Sequence, residues 1–207
     1  MSPIITHEDE LELARDEKNL AGEIKKLAKI QKSVIKSQNS LADDVSKLIL
    51  ARDNLNKTFR SVLKQMQTLA RESRSNIKDE EVELYHGIIQ ENENYIQGSK
   101  NWMEAIKDLT ISKDSFITKK LEVADALTEV AKKRSAVIKK ALSIEKTKNK
   151  MIEGDKLELL DQEFNDAQRE FDRARDDLIK KIHQFIESRD EVNQLWLKLK
   201  ESMGEFS

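Results

Sequence analysis

The chain has 207 residues, of which 37% are charged, 5 are glycine and 1 is proline. So few turn-forming residues leave little room for breaks between secondary-structure elements, which argues against an ordinary globule and favours long helices around a thin apolar seam. Its 37 basic and 39 acidic residues nearly cancel, and the lack of cysteine excludes a disulfide framework and thiolate metal sites.

Membrane insertion and secretion find no support in the sequence. No apolar run reaches the roughly 18 residues that a membrane-spanning helix needs. The first residues, MSPIITHEDELELARDE, are too acidic for a signal peptide. A cytoplasmic protein is therefore predicted.

Helix 1 is expected over about residues 7–72. Thr6 can cap its first backbone N–H groups, and Glu8, Asp9 and Glu10 suit the positive end of the helix dipole. Apolar residues then recur at alternating spacings of three and four, the pattern of one unbroken helix with a coiled-coil seam. The predicted seam is Leu20, Ile24, Leu27, Gln31, Val34, Gln38, Leu41, Val45, Leu48, Arg52, Leu55, Phe59, Val62, Met66 and Leu69.

Helix 2 is expected over about residues 77–151, after a turn in which Asn76 can act as the N-cap. The same spacing continues, interrupted by polar residues that either fix the register or let the helix bend. The predicted seam is Tyr85, Ile88, Asn92, Tyr95, Ser99, Trp102, Ile106, Leu109, Lys113, Phe116, Lys120, Val123, Leu127, Val130, Arg134, Val137, Ala141, Ile144, Lys148 and Met151.

Helix 3 is expected over about residues 155–203. Gly154 tolerates the positive φ with which helices often end, and a connection this short makes helices 2 and 3 antiparallel. Acids outnumber bases along this helix, so its free face is expected to turn away from an anionic partner. The predicted seam is Leu157, Leu160, Phe164, Ala167, Phe171, Ala174, Leu178, Lys181, Phe185, Ser188, Val192, Leu195 and Leu199.

These patterns predict an all-α fold, namely one elongated, antiparallel three-helix coiled coil that forms a single domain over residues 1–207. Further apolar residues lie off the seam, which favours a second buried face and hence a homodimer. The alternative is scattered exposed apolar residues, which are common on monomers. The off-seam residues are Ile49, Leu50, Ile89, Ile96, Met103, Ile179, Ile186, Trp196 and Leu197, and the last four are the predicted dimer contacts.

Positive charge is concentrated between residues 131 and 150, which hold eight basic residues and one acid. Outward lysines here and on helix 1 have long, hydrated side chains that suit diffuse attraction to phosphate better than a shaped pocket. The alternative is a solvated face that supports helix solubility. Almost no acids within the segment are available for pairing, which favours an anionic partner. The outward lysines are Lys132, Lys133, Lys139, Lys140, Lys146 and Lys150 on helix 2, with Lys57 and Lys64 on helix 1.

No set of residues supports catalysis, a metal site or a cofactor. His7, His86 and His183 are far apart and lack a second histidine three or four residues away. The glycines form no phosphate-binding loop. Between residues 131 and 150 one arginine and no aromatic ring leave nothing to stack on bases, so a nucleic-acid partner is not expected either.

Two very long helices and a third, with basic residues before a short connection, resemble the BAR superfamily of membrane-shaping proteins. The features most similar to sorting-nexin-type members are Leu127 to Arg134, Gly154-Asp155-Lys156-Leu157, Glu163-Phe164 to Phe171-Asp172, and Trp196-Leu197. This resemblance implies a crescent-shaped homodimer whose tip and concave face contact lipid phosphates. It implies tip contacts at Lys132, Lys133, Lys139, Lys140, Lys146, Lys148 and Lys150, with weaker inner-face candidates at Lys57 and Lys64.

We therefore expect a non-enzymatic, homodimeric module that senses or generates curvature on anionic cytoplasmic membranes, such as those of endosomes or the cell surface. Arg134 and Lys148 fall on the seam in this register and are expected to be structural. The alternative function is a coiled-coil scaffold or tether that binds a protein and no lipid.

Overall fold

The computed structural model describes residues 6–73, 79–149 and 155–204, and all of these residues except Thr6 are helical. Helix α1 spans His7–Ser73, α2 spans Asp79–Asn149, and α3 spans Asp155–Gly204. For these residues the prediction of an all-α fold with three helices is confirmed. The predicted cap at Asn76 and helix-ending residue Gly154 lie outside the described residues.

Thr6 caps α1 as predicted. The backbone N–H of Asp9 donates to Thr6 Oγ1 at 3.2 Å, and Asp9 Oδ2 in turn accepts from the Thr6 N–H at 2.8 Å. Such reciprocal bonds satisfy backbone groups that have no partner within the helix. The hydrogen bonds from Thr6 also stabilise the carboxylate, so the pKa of Asp9 lies below its ordinary value.

The helices divide into two packing units. The first combines the part of α1 up to Ser33 with Asp114–Glu191, and the second combines Val34–Lys113 with the part of α3 from Val192 onward. Each of the three helices contributes to both units.

In the first unit, α2 runs antiparallel to both α1 and α3. Residues later in α1 contact residues earlier in α2, and residues later in α2 contact residues earlier in α3. The pairs that show it are Glu17 with Arg134, Lys25 with Asp125 and Gln31 with Lys120 for α1, and Lys133 with Glu170 and Phe116 with Phe185 for α3.

In the second unit, α1 and α2 are again antiparallel, and polar side chains on the two seams bond to each other. The Arg52 guanidinium donates to Asn92 and also lies 3.7 Å from the ring centroid of Tyr95. Lys113 donates to Gln38 at 3.3 Å. These cross-helix bonds between polar seam residues therefore favour one register, because each pair meets in only one alignment.

The predicted seams of α2 and α3 are confirmed, since every described seam residue except Lys148 is at least half-buried. In the second unit the core forms around Ala42, Ile106, Leu109 and Leu199. Partly buried side chains complete this core, namely Trp102, Met103, Ala105, Val192 and Leu195.

The predicted seam of α1 is only half right. One of its two heptad positions is half-buried, but the other is largely exposed. The exposed position comprises Leu20, Leu27, Val34, Leu41, Leu48, Leu55 and Leu69. Val62 occupies the same heptad position but is half-buried. The most buried position of α1 lies one residue later along the helix, at Ala14, Ala21, Ala28, Ile35, Ala42, Ile49, Asn56 and Leu63. Small alanines at this position let the helices pack closely, so the bulkier leucines remain at the edge of the contact.

The structure also changes the interpretation of the off-seam apolar residues. Ile49, Ile89 and Ile96 are buried within the chain itself, so they are not surplus apolar surface. The contrast in burial is clearest between two chain neighbours, since Ile49 is 7% exposed and Leu50 is 62% exposed.

This difference predicts a stability contrast between two neighbouring substitutions. Ile49→Ala should lower the free energy of unfolding by about 2–5 kcal/mol, because it removes buried methyl groups and leaves a cavity. Leu50→Ala should change it by about 0.5 kcal/mol or less. Chemical denaturation followed by circular dichroism measures both, and equal losses would contradict this register.

Candidate functional site

The basic segment of α2 presents three exposed lysines in a row. Lys132, Lys139 and Lys146 are seven residues apart and are all exposed. A seven-residue spacing is close to two helical turns, so the three side chains leave the helix on one face. The Lys132 side chain is 74% exposed, and its nearest acid is Glu129 at 3.8 Å. We call these three residues the lysine row.

Two of the predicted membrane-contacting lysines form ion pairs with α3 instead. Lys133 lies 2.6 Å from Glu170, and Lys140 pairs with Glu163. The hydrogen bond that Lys133 donates to Glu170 raises the pKa of Lys133 and lowers the pKa of Glu170. The scarcity of acids within the basic segment therefore does not leave these two lysines unpaired, because α3 supplies the acids.

Arg134 is a structural residue, as its seam position predicted. Its guanidinium donates two bonds to Glu17, at 2.9 and 3.2 Å, and one to Glu10, and it lies 4.9 Å from the ring centroid of Phe171. Burial disfavours its charge, but the two carboxylates outweigh that effect and hold the pKa of Arg134 above its ordinary value. Arg134 thus links α1, α2 and α3 within the first unit.

A basic groove lies between α1 and α2 in the first unit. Its volume is about 600 Å³, and no carboxylate is among the residues that line it. Four cationic side chains and two hydroxyls surround a floor of small apolar residues. The lining consists of Arg15, Lys18, Lys132 and Lys139, with Thr128 and Ser135, and with Leu11, Ala14, Ala131 and Ala136.

Arg15 and Lys18 were not singled out by the sequence analysis. They occur in an acid-rich stretch, LELARDEKN, whose local charge conceals them. A helical projection carries the signal that could have found them: Leu11, Ala14, Arg15 and Lys18 are three or four residues apart and therefore share a face.

The remaining predicted lysines have different surroundings. Lys57 is 2.7 Å from Asp53, and this pairing lowers the pKa of Asp53. Lys64 is exposed and lines a groove of about 740 Å³ in the second unit, but Glu93, paired with Arg60, lies in the same groove. Lys150 lies outside the described residues.

Large apolar side chains remain exposed on α1 and α3. The exposed heptad position of α1, which we call the leucine row, comprises Leu13, Leu20 and Leu27 in the first unit and Val34, Leu41, Leu48, Leu55 and Leu69 in the second. The predicted dimer contacts Ile179, Ile186, Trp196 and Leu197 are exposed as well. Trp196 also contacts Lys113, whose ammonium lies 5.2 Å from the centroid of its ring.

Among the described residues, no cluster of histidine, aspartate and glutamate could hold a metal ion. None of the described helices has a segment long and apolar enough to cross a membrane. Comparison with protein-family models, with curated proteins and with solved structures found no match to this chain. A functional proposal therefore depends on the chain's own residues.

The Arg134 cluster generates a prediction about stability. Arg134→Gln should lower the free energy of unfolding by about 1–3 kcal/mol, because Glu17, with a side chain only 13% exposed, loses its charged partner. Lys132→Gln is a matched control, since this neighbouring side chain is well exposed, and it should change stability by about 0.5 kcal/mol or less. Urea denaturation measures both variants. A stable Arg134→Gln protein would show that the cluster does not hold the unit together.

Proposed function

We propose that this protein is a non-enzymatic, membrane-binding module that docks the lysine row of α2 on anionic lipid headgroups. The observation that carries the proposal is that Lys132, Lys139 and Lys146 remain exposed, although the acids of α3 pair with Lys133 and Lys140. Membrane phosphate is a plentiful anionic partner for an extended row of cations. The resemblance to BAR proteins supports the same function.

The row is suited to reversible binding. Each lysine near an anionic leaflet contributes roughly 1 kcal/mol, so three lysines in one chain give weak attachment. Two copies joined in a homodimer would double the number of contacts. A rigid dimer would also hold its two basic regions at a fixed separation and angle, and binding would then depend on the curvature of the bilayer. We place the protein on the cytoplasmic face of endosomal or plasma membranes.

The leucine row supports the homodimer. Eight large aliphatic side chains at one heptad position of α1, three in the first unit and five in the second, are 43–66% exposed, and exposed apolar side chains that recur in this way favour an interaction site. Knobs-into-holes packing against a second copy would cover them. The second candidate function is a protein-binding scaffold, in which the leucine row covers a partner helix and the lysine row binds no lipid.

Reversing the charge of the lysine row should abolish membrane binding. The triple variant with Lys132→Glu, Lys139→Glu and Lys146→Glu should stay in the supernatant when sedimented with vesicles of phosphatidylcholine and 30–40% phosphatidylserine, whereas the unmodified protein should pellet. The physical reason is a change of six charge units on one helix face. Raising the salt concentration should weaken the unmodified protein's binding, because salt screens exposed charges.

The matched control reverses the same charge elsewhere. Lys156, Lys180 and Lys198 are exposed on α3, and their triple change to Glu should leave binding within about twofold of the unmodified protein. Equal loss in both triple variants would mean that net charge alone governs binding. Absence of binding to vesicles of every composition would favour the scaffold function.

A change in the leucine row should dissociate the dimer. Leu41→Glu combined with Leu48→Glu should shift the mass in sedimentation equilibrium from dimer to monomer, because two charges would be placed in an apolar contact. Leu50→Glu, at an exposed position outside the row, is the control and should leave the dimer intact. A monomeric unmodified protein at micromolar concentration would contradict the homodimer.

A further inference from the structure

The basic groove of the first unit has the donors that a phosphate group requires. Arg15 offers a planar, forked set of N–H donors that matches two phosphate oxygens at once, and Lys18, Lys132 and Lys139 add point charges. Among the described residues only Lys132 of these four has a carboxylate within 4 Å, and the 3.8 Å separation from Glu129 makes that contact weak. The four cations are thus available to an external anion.

The shape of the groove suits a small ligand that enters it better than it suits a flat charged surface. Ala14 and Ala131, which are 5% exposed, form a floor of short side chains, and the longer cationic side chains project beyond them. A volume of about 600 Å³ falls within the range of roughly 300–1,000 Å³ that is usual for small-molecule sites.

The two hydroxyls of the groove add a second type of contact. Ser135 Oγ donates its proton to the carbonyl of Ala131 at 3.0 Å, and Thr128 Oγ1 donates to the carbonyl of Ala124 at 2.8 Å. Because these protons are already used, the two oxygens face a ligand as acceptors. A fully deprotonated phosphate oxygen cannot donate to them, but the hydroxyl groups of a polyol can.

We propose that the groove lined by Arg15, Lys18, Lys132 and Lys139 binds a phosphorylated polyol of the inositol phosphate class. Cations would hold the phosphates, and Thr128 and Ser135 would accept hydrogen bonds from ring hydroxyls. This proposal deepens the proposed membrane function and rests on it where the ligand is a lipid headgroup. The same chemistry occurs in free inositol phosphates, which require no membrane.

The groove of the second unit is a poorer candidate. It also contains two cations, Arg60 and Lys64, but Arg60 is paired with Glu93, whose carboxylate lies in the same groove. An anion there would meet a carboxylate that repels it and would compete with that carboxylate for Arg60. The absence of any acid from the lining of the first groove is therefore what distinguishes it.

Titration calorimetry with inositol 1,4,5-trisphosphate at 0.15 M salt tests the groove directly. The unmodified protein should bind one ligand per chain, and Arg15→Gln with Lys18→Gln should weaken binding at least tenfold. The control, Lys180→Gln with Lys198→Gln, removes the same charge outside the groove and should stay within about twofold. All four side chains are exposed, so circular dichroism should show that both variants fold.

Two results would overturn the proposal. One is a lack of trisphosphate binding by the unmodified protein. The other is equal weakening in the groove variant and in its control, which would show that charge acts without a defined site. Ser135→Ala refines the test, because it should weaken the trisphosphate severalfold but leave sulfate, an anion with no hydroxyl group at neutral pH, unchanged.

Vesicle binding distinguishes a lipid headgroup from a free inositol phosphate as the ligand of the groove. It also distinguishes this proposal from the proposed membrane function. Vesicles with phosphatidylinositol 4,5-bisphosphate should bind more tightly than phosphatidylserine vesicles of equal charge, and the groove variant should lose that preference. Trisphosphate binding without vesicle binding would support the groove and contradict the membrane function. Binding to both vesicles with equal affinity, without trisphosphate binding, would overturn the groove proposal and leave the membrane function standing.

Discussion

Cross-helix pairing of the polar and charged residues on α2 is the constraint on which the other features depend. Arg134 joins Glu10 and Glu17 of α1, while Lys133 and Lys140 join acids of α3. These pairs fix the alignment of three long helices whose apolar seam is thin. They also decide which cations remain exposed, because a cation held by an acid in the same chain contributes little to an external anion.

Helix type and the seams of α2 and α3 could be predicted because large apolar residues recur there with the helical period. The register of α1 could not. Its most buried position is rich in alanine, which carries a weak hydrophobic signal, while the leucines beside it carry a strong one. A search for large apolar residues therefore finds the edge of the contact. Ile49 shows the same error, since it was counted as surplus apolar surface and is part of the core.

The parts of the candidate site that depend on nearby residues in the sequence could be predicted. The parts that depend on contacts with another helix could not. The seven-residue spacing of Lys132, Lys139 and Lys146 is visible in the sequence, and so is their position away from the predicted seam. The partners of Lys133 and Lys140 are 37 and 23 residues away on another helix, so their pairing depends on helix alignment. Helix alignment also brings Arg15 into the same groove as Lys132 and Lys139, although more than a hundred residues of chain separate it from them.

The two proposed modes of anion binding use different lysines along α2. Lys132 and Lys139 line the groove, whereas Lys146 lies two turns beyond Lys139, or about 10 Å at 1.5 Å per residue. That distance is about one Debye length at physiological salt, so Lys146 adds little to the affinity for a small anion held in the groove. It can add to the attraction of a membrane, whose charge extends under the whole face. An anionic surface would therefore use all three lysines, and a single phosphorylated ring only two of them together with Arg15 and Lys18.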